Sequence, residues 1–486
     1  MKYLEFLTDE DIDRIHLATM DVLENTGVIF QSNDALKFFS EAGCVVDYDK
    51  QIVKIPSYLV EECIRKAIHR YTIHGRDPKF VVERSALPRR TYFGVKAGPT
   101  QFYDDEKGEY RQCTTQDLIK LIRLANALPD CDQVGAYLCP PSDVPIEVND
   151  LYQNLLTMRH SIKPFEGYAD NLEGFNDYVK MLCILFDRKE DELGKPPQLQ
   201  GSGSAGSHPL MWGKERINIL IRAAQLGLDV GFSAGGMMGA DIPVTMGGAL
   251  VVSNAELLAG YTLAKLVNPR VPVNCGGTVR TFDMRDLYVG FGDSENAVTH
   301  ACQAQLMRHY GIPTGTHMCQ DSNTEDEQVA YANMMLWGIP ALAGVAYNDG
   351  MGAIAAENLY SLGQMVIDNE IIQLVKRMQD RLLNGIGMRD DELAVDLIKK
   401  VGPGGSFLKE KHTLKHYRSE LWFPPLGRRT KLETWLKEGK PSYVKRAFET
   451  ARRLIEEVEI PELPRDVDEE LVKVVKEAEK REVGGK

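Results

Sequence analysis

The feature that most restricts the fold is an alternation running through the middle of the chain. Seven short β-rich runs stand out: QVGAYLCP (133–140), KPFEGYA (163–169), QLQGSGSAG (198–206), DVGFSAGGM (229–237), VPVNCGGTV (271–279), PTGTHMCQ (313–320) and ALAGVAYND (341–349). Between them lie longer helical patterns such as GKERINILIRAAQLG, GGALVVSNAELLAGYTLAKLV, SENAVTHACQAQLMRHYG and ENLYSLGQMVIDNEIIQLVKRMQ. Strand followed by helix at intervals of roughly 30 to 40 residues is the pattern of an α/β fold, and the number of units matches a (β/α)8 TIM barrel. An open doubly wound sheet gives the same alternation but gathers its functional residues at one or two switch-point strands. Here nearly every run ends in small or polar residues, as in Ser204-Ala-Gly, Gly276-Gly-Thr and Tyr347-Asn-Asp. That favours a barrel, whose whole C-terminal rim is functional. The eighth strand is expected between Leu382 and Phe407.

The flanks differ in texture. Thr8-Asp9-Glu10-Asp11 resembles a capping box, and Ile12, Ile15, Thr19, Val22 and Leu23 follow at helical spacing. From Cys44 to Asp105 short β-rich pieces with turn signals predominate, including YTIHG, FVVERS and TYFGVKAGPTQFYDD. Residues 1–130 thus read as an N-terminal α+β cap, 131–432 as the barrel, and 433–486 as a charged C-terminal helical tail interrupted by Pro461 and Pro464.

Charge excludes several functions. A formal net charge of −13 has the wrong sign for gripping nucleic acid or an anionic membrane over a broad surface. The longest apolar stretch, Val244 to Val267, contains Asn254, Glu256 and Lys265, and the N-terminus is charged where a signal peptide is apolar. A soluble, cytoplasmic protein is expected. The 9 cysteines contain no CxxC pair, which fits scattered thiols in a reducing compartment. His317-Met318-Cys319 comes nearest to a metal signature, but no cysteine follows it, so no metal is expected.

The motifs favour a pocket over an acid–base engine. Gly201-Ser-Gly-Ser-Ala-Gly206 matches GxGxxG but runs on into Ser207-His208-Pro209 instead of a helix, so a dinucleotide site is not expected. Together with Gly236 and Gly277, the glycines Gly203 and Gly206 at strand ends suggest a roomy mouth where a flat partner meets backbone. Tyr137, Glu166, Tyr168, Phe232, His317, Gln320, Asp321, Tyr347, Asn348 and Asp349 should gather at one rim, joined by Phe93 from the cap and Trp212 from a loop. Several aromatic faces with a carboxylate suit a quaternary or tertiary ammonium, because ring quadrupoles attract a cation that donates no hydrogen bonds. No Ser-His-Asp order, Walker loop or H-E-x-x-H appears.

Asp241-Ile-Pro-Val-Thr-Met-Gly-Gly-Ala-Leu-Val-Val-Ser-Asn-Ala-Glu-Leu-Leu-Ala-Gly resembles the trimethylamine methyltransferase family, as do Tyr92-Phe-Gly-Val-Lys-Ala-Gly-Pro-Thr, Gln320-Asp-Ser and Val366-Ile-Asp-Asn-Glu-Ile. The resemblance spans most of the chain. It implies a barrel enzyme that moves a methyl group from an amine to the Co(I) corrinoid (cobalamin) of a separate cognate corrinoid protein, with no cofactor bound tightly by this chain. It also implies a homo-oligomer. Members acting on trimethylamine carry pyrrolysine at a strand end, whereas this chain reads Met318-Cys-Gln-Asp in what resembles the corresponding region. Relatives without pyrrolysine are associated with glycine betaine, proline betaine and carnitine.

That departure has a chemical meaning. A neutral tertiary amine must be activated before it gives up a methyl group, whereas a quaternary ammonium already leaves as a neutral amine. The reading is therefore direct in-line displacement with no protein base, the enzyme contributing orientation and desolvation. Tyr137, Tyr168, Phe232 and Tyr347 are the cage candidates, with Glu166 as electrostatic partner. His208, His317, Gln320 and Asn348 are candidates for the substrate carboxylate, and Arg280 and Arg285 for that carboxylate or the corrinoid phosphate. Two alternatives stand beside this reading: a tertiary amine methyltransferase with Cys319 or Gln320 in place of pyrrolysine, and a non-catalytic betaine-binding protein.

Overall fold

A computed structural model describes residues 2–484 except Ala136, Pro197, Gln198, Gln200, Ser202, Gly203 and His208, with backbone alone for Ser204 and Ala205. The fold is mixed α/β. Among the described residues, eight strand–helix units follow one another. They are β1 (Tyr92–Val95) and α1 (Thr115–Ala127), β2 (Gln133–Gly135) and α2 (Asn149–His160), β3 (Phe165–Glu166) and α3 (Leu172–Phe186), β4 (Ser204–Ala205) and α4 (Lys214–Leu226). The series continues with β5 (Val230–Met238) and α5 (Met246–Val267), β6 (Val273–Asp283) and α6 (Ser294–Tyr310), β7 (Gly315–His317) and α7 (Glu327–Leu342), β8 (Tyr347–Asp349) and α8 (Leu362–Asn384).

All eight strands run parallel. One sheet has the order β3-β2-β1-β8-β7, and the other joins β4, β5 and β6, with the antiparallel Tyr288–Gly290 on its edge. Where the sheets meet, Cys275 bridges Thr314 in parallel, and Gly167 N–H donates to Gly201 C=O at 3.3 Å.

The first unit departs from the sequence expectation. Tyr92–Val95, assigned there to the cap, pairs with β2 on one side and β8 on the other. The set of eight therefore begins some forty residues before the expected boundary at 131. No strand lies between Leu382 and Phe407, where α8 ends and two short helices, Asp390–Leu393 and Val395–Val401, follow. The run TYFGVKAG ends in the same small residues as the other strands, but it follows other β-rich pieces, and that proximity disguised it.

Ahead of β1, the helix Asp9–Asp21 starts at the expected capping box, Asp11 N–H donating to Thr8 Oγ1 at 3.2 Å and Thr8 N–H to Asp11 Oδ2 at 3.0 Å. It packs on α5. The 22-residue α5 is long and apolar enough to cross a membrane, but 78% of its apolar window is buried within the protein. This helix carries the Met-Gly-Gly-Ala-Leu-Val-Val run, of which Ala249 and Leu250 are buried, and the helix packs against β5, β6 and the N-terminal helix. The hairpin of Arg70–His74 and Val81–Ser85 sits at the N-terminal ends of the strands, where Tyr71 Oη donates to Asp229 Oδ1 at 2.6 Å, one residue before β5.

The C-terminal helices wrap the outside. Tyr443–Glu457 packs on α8, and Arg465–Glu482 packs on α2 and α3. Arg159 of α2 grips Asp468, and Arg481 grips Asp177 of α3. One buried carboxylate anchors the segment between: Glu370 of α8 accepts from Leu426 N–H at 2.6 Å, Gly427 N–H at 3.0 Å and Tyr443 Oη at 2.8 Å. Removing an acceptor shared by several buried donors costs roughly 2–4 kcal/mol. Glu370→Ala should therefore lower the melting temperature and make the region after residue 420 sensitive to limited proteolysis, while Glu370→Gln loses less. An unchanged digestion pattern in Glu370→Ala would contradict this role.

Candidate functional site

Side chains on a strand alternate between its two sides, so each of these strands divides its residues between a central cavity and the surrounding helices. The cavity has a volume of about 320 Å³. Its wall takes Lys96 just past β1, Tyr137 past β2, Glu166 and Tyr168 from β3 onward, and Gly231 and Ser233 from β5. Asn274, Gly276 and Thr278 come from β6, Gly315 and His317 from β7, and Tyr347 and Asp349 from β8. Parallel barrels normally fill such positions with branched residues. Glycine stands at 231, 276 and 315 instead, lining the cavity with backbone, and the absent side chain at 276 permits the close approach of Gly315 C=O.

At the C-terminal ends of the strands the charges are paired. Lys96 Nζ bonds Glu166 Oε1 at 2.6 Å. His317 lies between two carboxylates, its Nδ1 on Asp349 Oδ1 and its Nε2 2.6 Å from Glu357 Oε1. Burial alone would disfavour a charged imidazole. Glu357 and Asp349 outweigh it and hold the His317 pKa up at about 10, so the ring is an imidazolium donating on both sides. Glu357 reaches it from a turn in which Ala355, Ala356 and Glu357 are all left-handed, at φ 55°, 50° and 67°. Such conformations cost roughly 1 kcal/mol or more each outside glycine. They are held by Ala355 N–H donating to Ser322 C=O at 2.7 Å and Ala356 N–H to Gln320 C=O at 2.9 Å.

At the opposite end stands Arg84, from the hairpin that closes the N-terminal side. It is fully buried, lines the cavity, and sits over the Tyr347 ring with its guanidinium carbon 3.9 Å from the ring centroid. Nη2 donates to Gln133 Oε1 at 2.7 Å, while Nε and Nη1 have no hydrogen-bond partner among the described residues. Counting His317 as cationic, Arg84, Lys96, Arg216 and His317 face Glu166, Asp349 and Glu357, leaving the wall with one excess positive charge.

Of the residues singled out in the sequence, Tyr137, Glu166, Tyr168, His317, Tyr347 and Asp349 meet at this cavity. Tyr137 and Tyr168 stack with centroids 4.3 Å apart, and Tyr137 packs over Gly98, whose φ of +100° and absent side chain permit the approach. Glu166 is not a lone electrostatic partner, since Lys96 neutralises it.

Alternation takes several others away. Phe232 borders the cavity, but its ring meets Trp212 edge-on at 5.5 Å and packs beside Gly260 of α5, so it is a wall of the helix layer and not of a cage. Phe93 packs on Trp337 of α7, with Lys376 of α8 over its ring. Asn348 lies on the side of β8 opposite Tyr347 and Asp349, and Gln320 is buried in bonds with Ser322 N–H and C=O.

The expected corrinoid-facing set also disperses. Gly277 borders the cavity by its backbone, its open side facing Gln303 of α6, and Gly206 and Gly236 do not line it. Arg280 is buried behind His317, donating to its carbonyl at 2.8 Å and to His300 Nε2 at 3.1 Å. Arg285 is on the surface, paired with Asp283. Gly203 and His208 lie outside the described residues.

Sequence reasoning missed Arg84, Lys96, Arg216 and Glu357. Lys96 directly follows the strand Tyr92–Val95 and stands before Ala97-Gly98-Pro99, a strand-end signal that could have found it. Nothing in FVVERS or AAENLY signals a cavity residue, because both segments reach the site only through tertiary packing.

Residues 1–484 match the family described as trimethylamine methyltransferase (MTTB). The chain is 30% identical over 475 residues to the trimethylamine methyltransferase MttB of Desulfitobacterium hafniense, covering 97% of this chain and 93% of that protein. It is also 30% identical over 469 residues to a glycine betaine methyltransferase from another strain of that organism, covering 96% and 95%. Among solved structures, the monomethylamine methyltransferase of Methanosarcina barkeri aligns with a TM-score of 0.48 and 12% identity, over 92% of this chain and 93% of that one.

The imidazolium yields a pH prediction. Its folded pKa of about 10 lies above the ordinary 6.5, so the stabilisation it brings is complete below pH 6.5 and is lost as pH rises toward 10. Melting temperatures measured from pH 6 to 10.5 should show wild type losing several degrees relative to His317→Gln across that window. A constant difference would show that the ring is not charged.

Proposed function

The chain belongs to the trimethylamine methyltransferase family, and from that membership we propose that it moves an N-methyl group from a quaternary amine to the Co(I) corrinoid of a separate partner protein. The eight strand–helix units are read as a closed (β/α)8 barrel, with the sheets joined at the Cys275–Thr314 bridge and the Gly167–Gly201 bond. The substrate sits in the cavity, its N-methyl group toward the C-terminal ends of the strands.

One observation carries this reading: every carboxylate on the cavity wall is already paired with a cation. A wall without a free acid or base suits a substrate that arrives activated, and a nitrogen bearing four carbons leaves as a neutral amine without proton transfer. It also suits the charge change. Bond exchange with a reduced cobalt consumes the positive charge, so a bare carboxylate would stabilise the ground state more than the transition state. The two residues that would stand in for pyrrolysine are withdrawn. The Cys319 thiol donates to Ala353 C=O at 3.4 Å and burial pushes its pKa up, and Gln320 is held by Ser322.

The acceptor is a second substrate; reduced corrinoid supplies the nucleophile. A cavity of about 320 Å³ is at the low end of small-molecule sites, roughly 300–1,000 Å³, so the macrocycle meets the substrate at the mouth and not inside. The chain's own part is to aim the methyl group and exclude water. Exposed Val244, Met246, Met284 and Leu287, at and beyond the C-terminal ends of β5 and β6, give the partner protein an apolar surface there. A homo-oligomer is part of the same proposal.

The test is incubation of the chain with free cob(I)alamin and a panel of glycine betaine, proline betaine, carnitine and trimethylamine, following methylcobalamin by absorbance. A quaternary amine should be consumed and trimethylamine left at background. Faster consumption of trimethylamine would overturn the proposal, and betaine binding without any turnover would identify a binding protein instead.

A further inference from the structure

Arg84 is the least satisfied charge in the cavity. A guanidinium always carries its charge, and burying one without a partner costs several kcal/mol. Here the side chain is fully buried, yet among the described residues Nε and Nη1 bond to nothing and no carboxylate forms an ion pair with it. Asp229 acts on it only at a distance, has one oxygen engaged by Tyr71 Oη at 2.6 Å, and does not line the cavity. Burial pushes the Asp229 pKa up to about 7, so even this compensation is partial near neutral pH.

We propose that Arg84 is the receptor for a carboxylate on the substrate, which makes the substrate an N-methylated zwitterion and not a bare methylamine. The inference rests on the quaternary-amine reading above and deepens it. Nε–H and Nη1–H, on different edges of the guanidinium, are unbonded donors, and a carboxylate oxygen on either edge accepts a charge-assisted hydrogen bond, its second oxygen meeting the hydrogen of Nη2 that Gln133 leaves free. Stacking on Tyr347 and the bond to Gln133 fix its plane, so little freedom is lost when an anion binds. Position supplies the orientation. Arg84 and Tyr347 lie at the N-terminal end of the strands, while Tyr137, Tyr168 and the His317 cluster lie at the C-terminal end. A short zwitterion with its carboxylate on Arg84 turns its ammonium head toward the mouth. The excess positive charge on the wall points the same way, since it repels a ligand that is only a cation and accepts one that brings its own anion.

Direct binding tests this without methyl transfer. Glycine betaine, tetramethylammonium (the ammonium head without the carboxylate) and 3,3-dimethylbutyrate (the carboxylate and shape without the positive charge) are titrated calorimetrically into wild type, Arg84→Met and Arg84→Lys. Wild type should bind glycine betaine about tenfold or more tighter than tetramethylammonium. Arg84→Met should lose about 100-fold for glycine betaine and for 3,3-dimethylbutyrate, with no loss for tetramethylammonium. Arg84→Lys should recover part of that loss, because a point charge replaces the fork. Equal losses for all three probes, or undiminished betaine binding in Arg84→Met, would overturn the assignment.

If Arg84→Met does not fold, wild type decides alone: 3,3-dimethylbutyrate must displace glycine betaine, and failure to do so contradicts the site. The two proposals fail separately. Arg84-dependent binding of glycine betaine without demethylation would contradict the methyltransferase reading and leave the carboxylate site standing. Methyl transfer from tetramethylammonium as efficient as from glycine betaine would do the reverse.

Discussion

Period-two alternation along eight parallel strands decides what this cavity can be, because each residue must face either the open space or the helices. Glycine at 231, 276 and 315 lines the cavity with backbone, and Gly94 and Gly135 make room for Tyr347 and Lys96. The same rule turns the Phe232 ring toward the helix layer and carries Asn348 out of the site, although Asn348 stands between two cavity positions. A one-residue slip in any strand would exchange a site for a core.

Within that space charge is distributed unevenly. Toward the C-terminal ends, Lys96 answers Glu166 and His317 answers Asp349 and Glu357, with Arg280 behind His317, so an ammonium group would meet diffuse, mostly cancelled charge. At the floor, Arg84 is unanswered. A ligand with an anion at one end and a cation at the other complements both, and its cationic end would be held loosely enough to lose its charge on reaction. The left-handed turn at Ala355 to Glu357 is explained in the same terms, since it delivers the second carboxylate to His317.

The sequence made the family and the α/β alternation legible, because helical and strand periods are local and the run through Met246-Gly-Gly-Ala-Leu-Val-Val is distinctive. Seven of the eight strands fell in the expected runs; the remaining one, Tyr92–Val95, was hidden among the β-rich pieces before it. Tyr137, Glu166, Tyr168, His317 and Tyr347 were legible as strand-end residues. Arg84 was not, because its place depends on a hairpin folding back under strands that begin up to 260 residues later, roughly the separation of Arg84 from Tyr347. The facing of Phe232 and Asn348 was also lost, since aromatic or polar character at a strand end says nothing about register.

A crystal structure of the chain soaked with glycine betaine would observe the ligand's orientation directly. Both carboxylate oxygens should lie on the Arg84 guanidinium and the trimethylammonium group beyond it, one methyl directed out between Tyr137 and His317. A ligand bound the other way round, with its ammonium group at the floor and its carboxylate at the mouth, would contradict this orientation.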